Sequence, residues 1–83
     1  MAIDYRALRS LTARQLIAAL LSDGFQLIRQ TGSHQRYRHR DGRRVTIAPH
    51  GSGGTFPIKT LKSIIEFQAC WSEDDPRRLN LLK

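Results

Sequence analysis

Apolar residues recur at Ala13, Leu16, Ile17 and Leu20, the i, i+3, i+4, i+7 spacing of a helix with one buried face. Thr12 stands before this stripe and Gln15 three residues on, the pairing of a capping box. Gly24 follows Asp23 and can take the positive φ that closes a helix. These signs predict a helix over Thr12–Asp23. Beyond it the period falls to two. Phe25–Gln30 reads as a strand with Phe25 and Leu27 on one face, and Thr31-Gly32-Ser33 as a turn. His34–Arg40 is a second strand, with His34, Arg36 and Arg38 on one face and Gln35, Tyr37 and His39 on the other. Tyr37 is expected in the core. Asp41-Gly42 marks a two-residue hairpin. Arg43–Ala48 is a third strand, with Val45 and Ile47 turned inward.

A glycine-rich loop, Pro49 to Thr55, then leads to a second helix. Pro57 suits its first turn and Thr55 its cap, and it runs to about Cys70. Ile58, Leu61, Ile64, Ile65 and Trp71 form its expected buried stripe, and Cys70 is read as a small apolar residue at its end. After the acidic Ser72–Asp75 stretch, Asp75-Pro76 starts a short last helix through Leu79, Leu81 and Leu82. The order α-β-β-β-α predicts an α+β fold. Its three-stranded antiparallel sheet carries two helices on one face, the layout of a double-stranded-RNA-binding domain, with a short C-terminal helical tail. Eighty-three residues admit one core. One domain over 1–83 is expected, with a core at 12–70, an N-terminal extension at 1–11 and a tail at 71–83.

Charge sharpens this outline. Fourteen Lys and Arg stand against seven Asp and Glu, for a net charge of +7. Between Arg29 and Arg44 lie six arginines and one acid, Asp41, so this window alone carries +5. Arginine outnumbers lysine eleven to three, and its planar fork binds phosphate through two hydrogen bonds and stacks on bases. The balance favours a polyanionic partner, nucleic acid first.

Other classes fall away. The single cysteine, Cys70, excludes an internal disulfide, and His34, His39 and His50 lie at no zinc-ligand spacing from it. No pair of carboxylates outside the acidic tail offers ligands for two-metal nuclease chemistry, so neither metal nor cofactor is expected. The longest apolar run, Leu16–Leu21, is far short of the ~20 residues of a membrane span. The first residues lack the order of a signal peptide. The expected setting is the cytoplasm, away from membranes.

His34 enters its strand from a Gly-Ser turn and shares a face with Arg36 and Arg38. A histidine there suits general acid–base work near neutral pH, and flanking arginines suit the charge that builds on a phosphate under attack. Such a set is sufficient for RNA cleavage in which the 2′-hydroxyl attacks the adjacent phosphate. A histidine that only hydrogen-bonds its turn is the alternative, and residue types leave both open. His39 reads as structural and His50 as a solvated loop residue that can reach the site.

The stretch LIAALLSDGFQLIRQTGSHQRYRHRDGRRVTIAPHG, followed by KTLKSII, resembles the HicA (YcfA-like) toxins of bacterial and archaeal toxin–antitoxin systems. The likeness covers about residues 12–70. It is carried by Gly32-Ser33-His34, Tyr37-Arg38-His39, Asp41-Gly42 and Pro49-His50-Gly51 taken in order. The resemblance implies a small mRNA interferase of double-stranded-RNA-binding-like fold that works without a metal, with His34 as catalytic residue. It implies mRNA as substrate and a HicB-like antitoxin as partner covering the active face, the toxin being monomeric when free. The residues then expected to hold RNA are Arg29, Ser33, Arg36, Arg38, Arg43, Arg44, Lys59 and Lys62. The chain departs from the family in its eleven leading residues and in Lys59, where a small residue is common. It also has Cys70-Trp71 in place of a Gly-Leu ending. A non-catalytic RNA-binding module of the same fold is the rival reading.

Overall fold

The capping box closes as its spacing predicts: the Gln15 amide donates to the Thr12 hydroxyl (3.2 Å) and the Thr12 amide to the Gln15 side chain (2.9 Å). It begins α1 (Ala13–Asp23), which Gly24 ends at φ 105°. The computed structural model describes residues 3–48, 54–79 and 81. His50, most of the glycine loop and Leu82 lie outside them. Three strands follow α1: β1 (Phe25–Thr31), β2 (His34–His39) and β3 (Arg44–Ile47). They form an antiparallel meander in the order β1-β2-β3. α2 (Ile58–Lys62) continues directly into a π-helical segment, Ser63–Gln68, and α3 (Asp75–Arg78) lies in the tail. The α-β-β-β-α order and the open three-stranded sheet are those expected.

The inner sheet face carries Phe25, Tyr37, Val45 and Ile47, buried beneath Leu16 and Leu20 of α1 and Leu61, Ile64 and Ile65 of the second helix. Two apolar positions expected there differ. Leu27 faces the same side as Phe25 but stays 47% exposed, since β1 is an edge strand. Ile58 is 48% exposed, because it opens the helix and the buried positions begin at Leu61. No side chain caps α2, and Thr55 pairs instead with Thr12 in an isolated bridge.

The second helix was expected as one regular run; its last turn is wider. The Ala69 amide reaches back to the Ile64 carbonyl and the Trp71 amide to Ile65, 2.8 Å each. This turn sets Gln68 against the free edge of β3, where its side-chain oxygen accepts the Thr46 amide (2.8 Å) and its nitrogen donates to the Ser63 hydroxyl (3.2 Å). The Thr46 amide on this otherwise open strand edge is thereby satisfied. Cys70 is exposed rather than packed, and its φ of 56° is a left-handed geometry that suits glycine.

Both ends join the core. Ile3, Leu8 and Leu11 are buried, as are Trp71, Pro76 and Leu79. The Tyr5 hydroxyl donates to Glu66, and burial together with that carboxylate pushes the phenol well above its usual range. Asp23 fastens the tail. Its carboxylate takes the Trp71 indole N–H (2.8 Å) and Arg78 (2.7 Å), with Arg43 at 3.3 Å. Burial alone would raise the Asp23 pKa. The Trp71 and Arg78 hydrogen bonds and the two guanidinium charges outweigh it and hold the carboxyl below its ordinary value. These partners also offset the unfavourable placing of an acid at a helix C-terminus.

Candidate RNA-binding face and active site

The outer face of the sheet is built from three short rows. Gln26, Arg38 and Arg44 stand side by side across the strands, then Arg29, Arg36 and Thr46, then Thr31 and His34. Arg29 reaches this face through a local irregularity. Strict alternation from Phe25 would turn it inward, under the helices. The β1–β2 register slips between Leu27 and Arg29, which makes Ile28 the extra residue of a bulge and brings Arg29 out opposite Arg36.

Arg29 and Arg36 are direct cross-strand partners, and so are Arg38 and Arg44. Like charges placed opposite one another destabilise a sheet by a few tenths of a kcal/mol to ~1 kcal/mol. No outward position of the three strands holds an acid. Among the described residues, none of these four guanidinium groups forms an ion pair or hydrogen bond. The carboxylates of Asp23, Asp41 and Asp75 are engaged with Arg43 and Arg78. The fold therefore gathers uncompensated positive charge on one face. Such a surface is satisfied by an external polyanion.

Arg29, Thr31, His34, Arg36 and Thr46 line one hollow of about 390 Å³ on this face. His34 is exposed and its imidazole makes no hydrogen bond to a described residue, so both ring nitrogens are open to a ligand. Arg36 follows two residues on along the same strand face, about 7 Å away. His34 and Thr46 also border a neighbouring hollow of about 350 Å³, walled by Phe56, Pro57, Thr60 and Ile64. At the far end of the sheet Arg38 lines a third depression with Gln26, Ile28 and Arg40.

The other expected RNA-binding residues are placed as follows. Arg44 lies beside Arg38. Ser33 is exposed in the turn just before His34, where Gly32 takes φ 59°. Lys59 and Lys62 are exposed on α2, the helix that contributes Thr60 to the second hollow. Arg43 is not brought to the face. Its guanidinium donates to the Ala69 carbonyl (2.6 Å) and to Asp41 (2.8 Å), stands 3.3 Å from Asp23, and lies over the Phe25 ring. It is a structural clamp between the hairpin and the tail. Its parity with Val45 and Ile47 already marks it as inward.

His39 is structural as well. Its Nε2 donates to the Asp23 carbonyl (2.8 Å), its Nδ1 accepts the Asp41 amide (3.1 Å), and its ring packs edge-on against Phe25. Thr31 and Thr46, absent from the expected set, stand in the His34 hollow. Alternation along β3 marks Thr46 as outward, next to Arg44.

Among the described residues, no cluster of three or more His, Cys, Asp or Glu side chains could hold a metal ion, and no helix is long and apolar enough to cross a membrane. A family model described as the HicA toxin of bacterial toxin–antitoxin systems matches residues 13–68, from the start of α1 to the end of the π-helical segment. No curated protein matches the chain.

Proposed function

The chain belongs to the HicA family of bacterial toxin–antitoxin toxins, and from that premise we propose that it is an endoribonuclease that cuts mRNA without a metal, using His34 for proton transfer. One observation carries the reading. An exposed histidine, two arginines and two threonines meet in a single hollow on a sheet face whose outward positions include no acid. Hard divalent cations take oxygen ligands, chiefly carboxylates, and those positions offer none. Arginine is therefore the available counter-charge for a phosphate.

In the proposed reaction an RNA phosphate sits between Arg29 and Arg36. The 2′-hydroxyl of the preceding ribose gives its proton to the His34 imidazole and attacks the phosphorus. The bond to the 5′ oxygen breaks, and that oxygen leaves with a proton from solvent, giving a 2′,3′-cyclic phosphate and a free 5′-hydroxyl. The arginines stabilise the charge on the non-bridging oxygens as the phosphorus becomes five-coordinate. A positioned acid–base group supplies ~10²–10⁴ in rate. Arg38 and Arg44 extend the track for the strand, with Ser33, Lys59 and Lys62 at its margins. A HicB-like antitoxin covering this face in the cytoplasm would silence a toxin that is monomeric when free.

The test is a long mRNA offered in EDTA as natural RNA and as fully 2′-O-methylated RNA. The expected result is tight, salt-sensitive binding of both and cleavage of the first alone. Binding of both with cleavage of neither would give the assignment to the rival, a non-catalytic RNA-binding module.

A further inference from the structure

The second hollow beside His34 has a different chemistry from the first. Phe56 and Ile64 form an apolar floor, Pro57 and Ala48 stand at its sides, and Thr46 and Thr60 are its exposed hydroxyl residues. Gln68 closes the wall between β3 and the helix, its amide already engaged by Thr46 and Ser63. Among the described residues that line it, none is charged apart from His34 when protonated. At about 350 Å³ it falls within the usual size of small-ligand sites, roughly 300–1,000 Å³.

Its position identifies what it takes. His34 and Thr46 border both hollows, so an apolar, hydroxyl-rimmed recess adjoins an arginine-lined one across a single histidine. A nucleotide has that same division, with a charged phosphate beside a flat base of apolar faces and polar edges. We propose that the Phe56–Pro57–Thr60 hollow is a base-binding subsite. It takes one nucleobase next to the phosphate held by Arg29 and Arg36, packs it on Phe56 and Pro57, and reads its edge with Thr46 and Thr60. This assignment rests on the nuclease reading above and deepens it. It places sequence preference in this hollow and leaves the arginine contacts indifferent to sequence. Packing on such a surface is worth ~1–3 kcal/mol per base, which corresponds to roughly 5- to 150-fold in affinity.

The probes are short RNAs made uncleavable by 2′-O-methylation, each with an abasic nucleotide at one successive position, measured by fluorescence anisotropy. Cleavable counterparts are followed in parallel. Wild-type protein is expected to bind one abasic probe about 5-fold or more weakly than the intact strand. Ala48→Phe, which fills the hollow from an exposed position, should bind intact and abasic strands alike and keep the wild-type salt dependence. Thr60→Val, which keeps the shape, should weaken the preference among bases at that position and leave the abasic penalty in place.

Equal binding of every abasic probe by a wild-type protein that still cuts RNA would overturn the subsite and leave the nuclease reading standing. Loss of both binding and cleavage in the wild type would remove the two together. If Ala48→Phe weakens only the complex with the antitoxin, the hollow is a protein-docking pocket and the subsite is refuted.

Discussion

Replacing Arg36 with threonine should stabilise the protein and weaken its hold on RNA at the same time. Arg36 faces Arg29 directly across the β1–β2 ladder. Two unit charges about 6 Å apart in water repel by ~0.7 kcal/mol, and salt at 0.15 M, with a screening length of about 8 Å, reduces this to ~0.3 kcal/mol. Threonine also suits a strand. Relief of the repulsion should raise the melting temperature by roughly 3–6 °C at low salt for a domain of this size, with a smaller gain at high salt. Arg36→Gln removes the charge without adding a β-branched side chain, so a similar gain there assigns the effect to repulsion and its absence assigns it to strand propensity. Against RNA the loss of one charged hydrogen-bonding group, worth ~1.5–3 kcal/mol, should cost about 10- to 100-fold in affinity. The slope of log affinity against log salt should become shallower by ~0.7 for a single strand. Thermal melts by circular dichroism at two salt concentrations, paired with anisotropy titrations, read both effects. A variant that melts lower than wild type, or binds RNA with an unchanged salt slope, would refute the reasoning.

Three further outcomes test the frame that supports this face. Asp23→Asn should cost about 3 kcal/mol, because the Trp71 indole, Arg43 and Arg78 lose a shared carboxylate; urea unfolding measures it. The folded Asp23 carboxyl lies below its ordinary value of 3.8, so its contribution is whole above about pH 4 and fades as pH falls further. The acid limb of stability should flatten in the variant. Cys70→Gly should raise stability by about 0.5–1 kcal/mol, since φ 56° strains a side chain but not glycine; a rise in denaturation midpoint checks it. Gly24→Ala should destabilise by about 2–3 kcal/mol, because φ is 105° and the new Cβ would lie 2.9 Å from His39 Nε2. Its midpoint should fall accordingly.

Much of this architecture is legible along the chain because the signals are local. Thr12 with Gln15, Gly24 after Asp23, and Asp41-Gly42 each fix a boundary through their own hydrogen bonds or dihedrals, and the period-two run through Tyr37 sorts His34, Arg36 and Arg38 onto one side. What escaped is decided by packing across the fold. One extra residue at Ile28 leaves no mark in composition, yet it decides which way Arg29 points. The wide turn at Ser63–Gln68 follows from the pull of Gln68 toward an unpaired strand edge, a contact 22 residues distant in sequence. Charge density groups Arg43 with its basic neighbours, whereas its strand parity with Val45 and Ile47 turns it inward. Its true partners, Asp23 and the Ala69 carbonyl, come from the two ends of the fold. Ile58 and Cys70 carry apolar chemistry at positions where the helix ends leave the core behind.

Proton transfer by His34 is the central step of the proposed reaction. The direct measurement is cleavage of a long mRNA in EDTA by wild type and by His34→Ala, with RNA affinity and circular dichroism recorded for both. His34 is exposed and its imidazole forms no hydrogen bond or ion pair with a described residue, so the variant should keep its fold and bind RNA within a few-fold of wild type. The expected loss of rate is ~10²–10⁴. Cleavage at the wild-type rate by folded, RNA-bound His34→Ala would contradict the account.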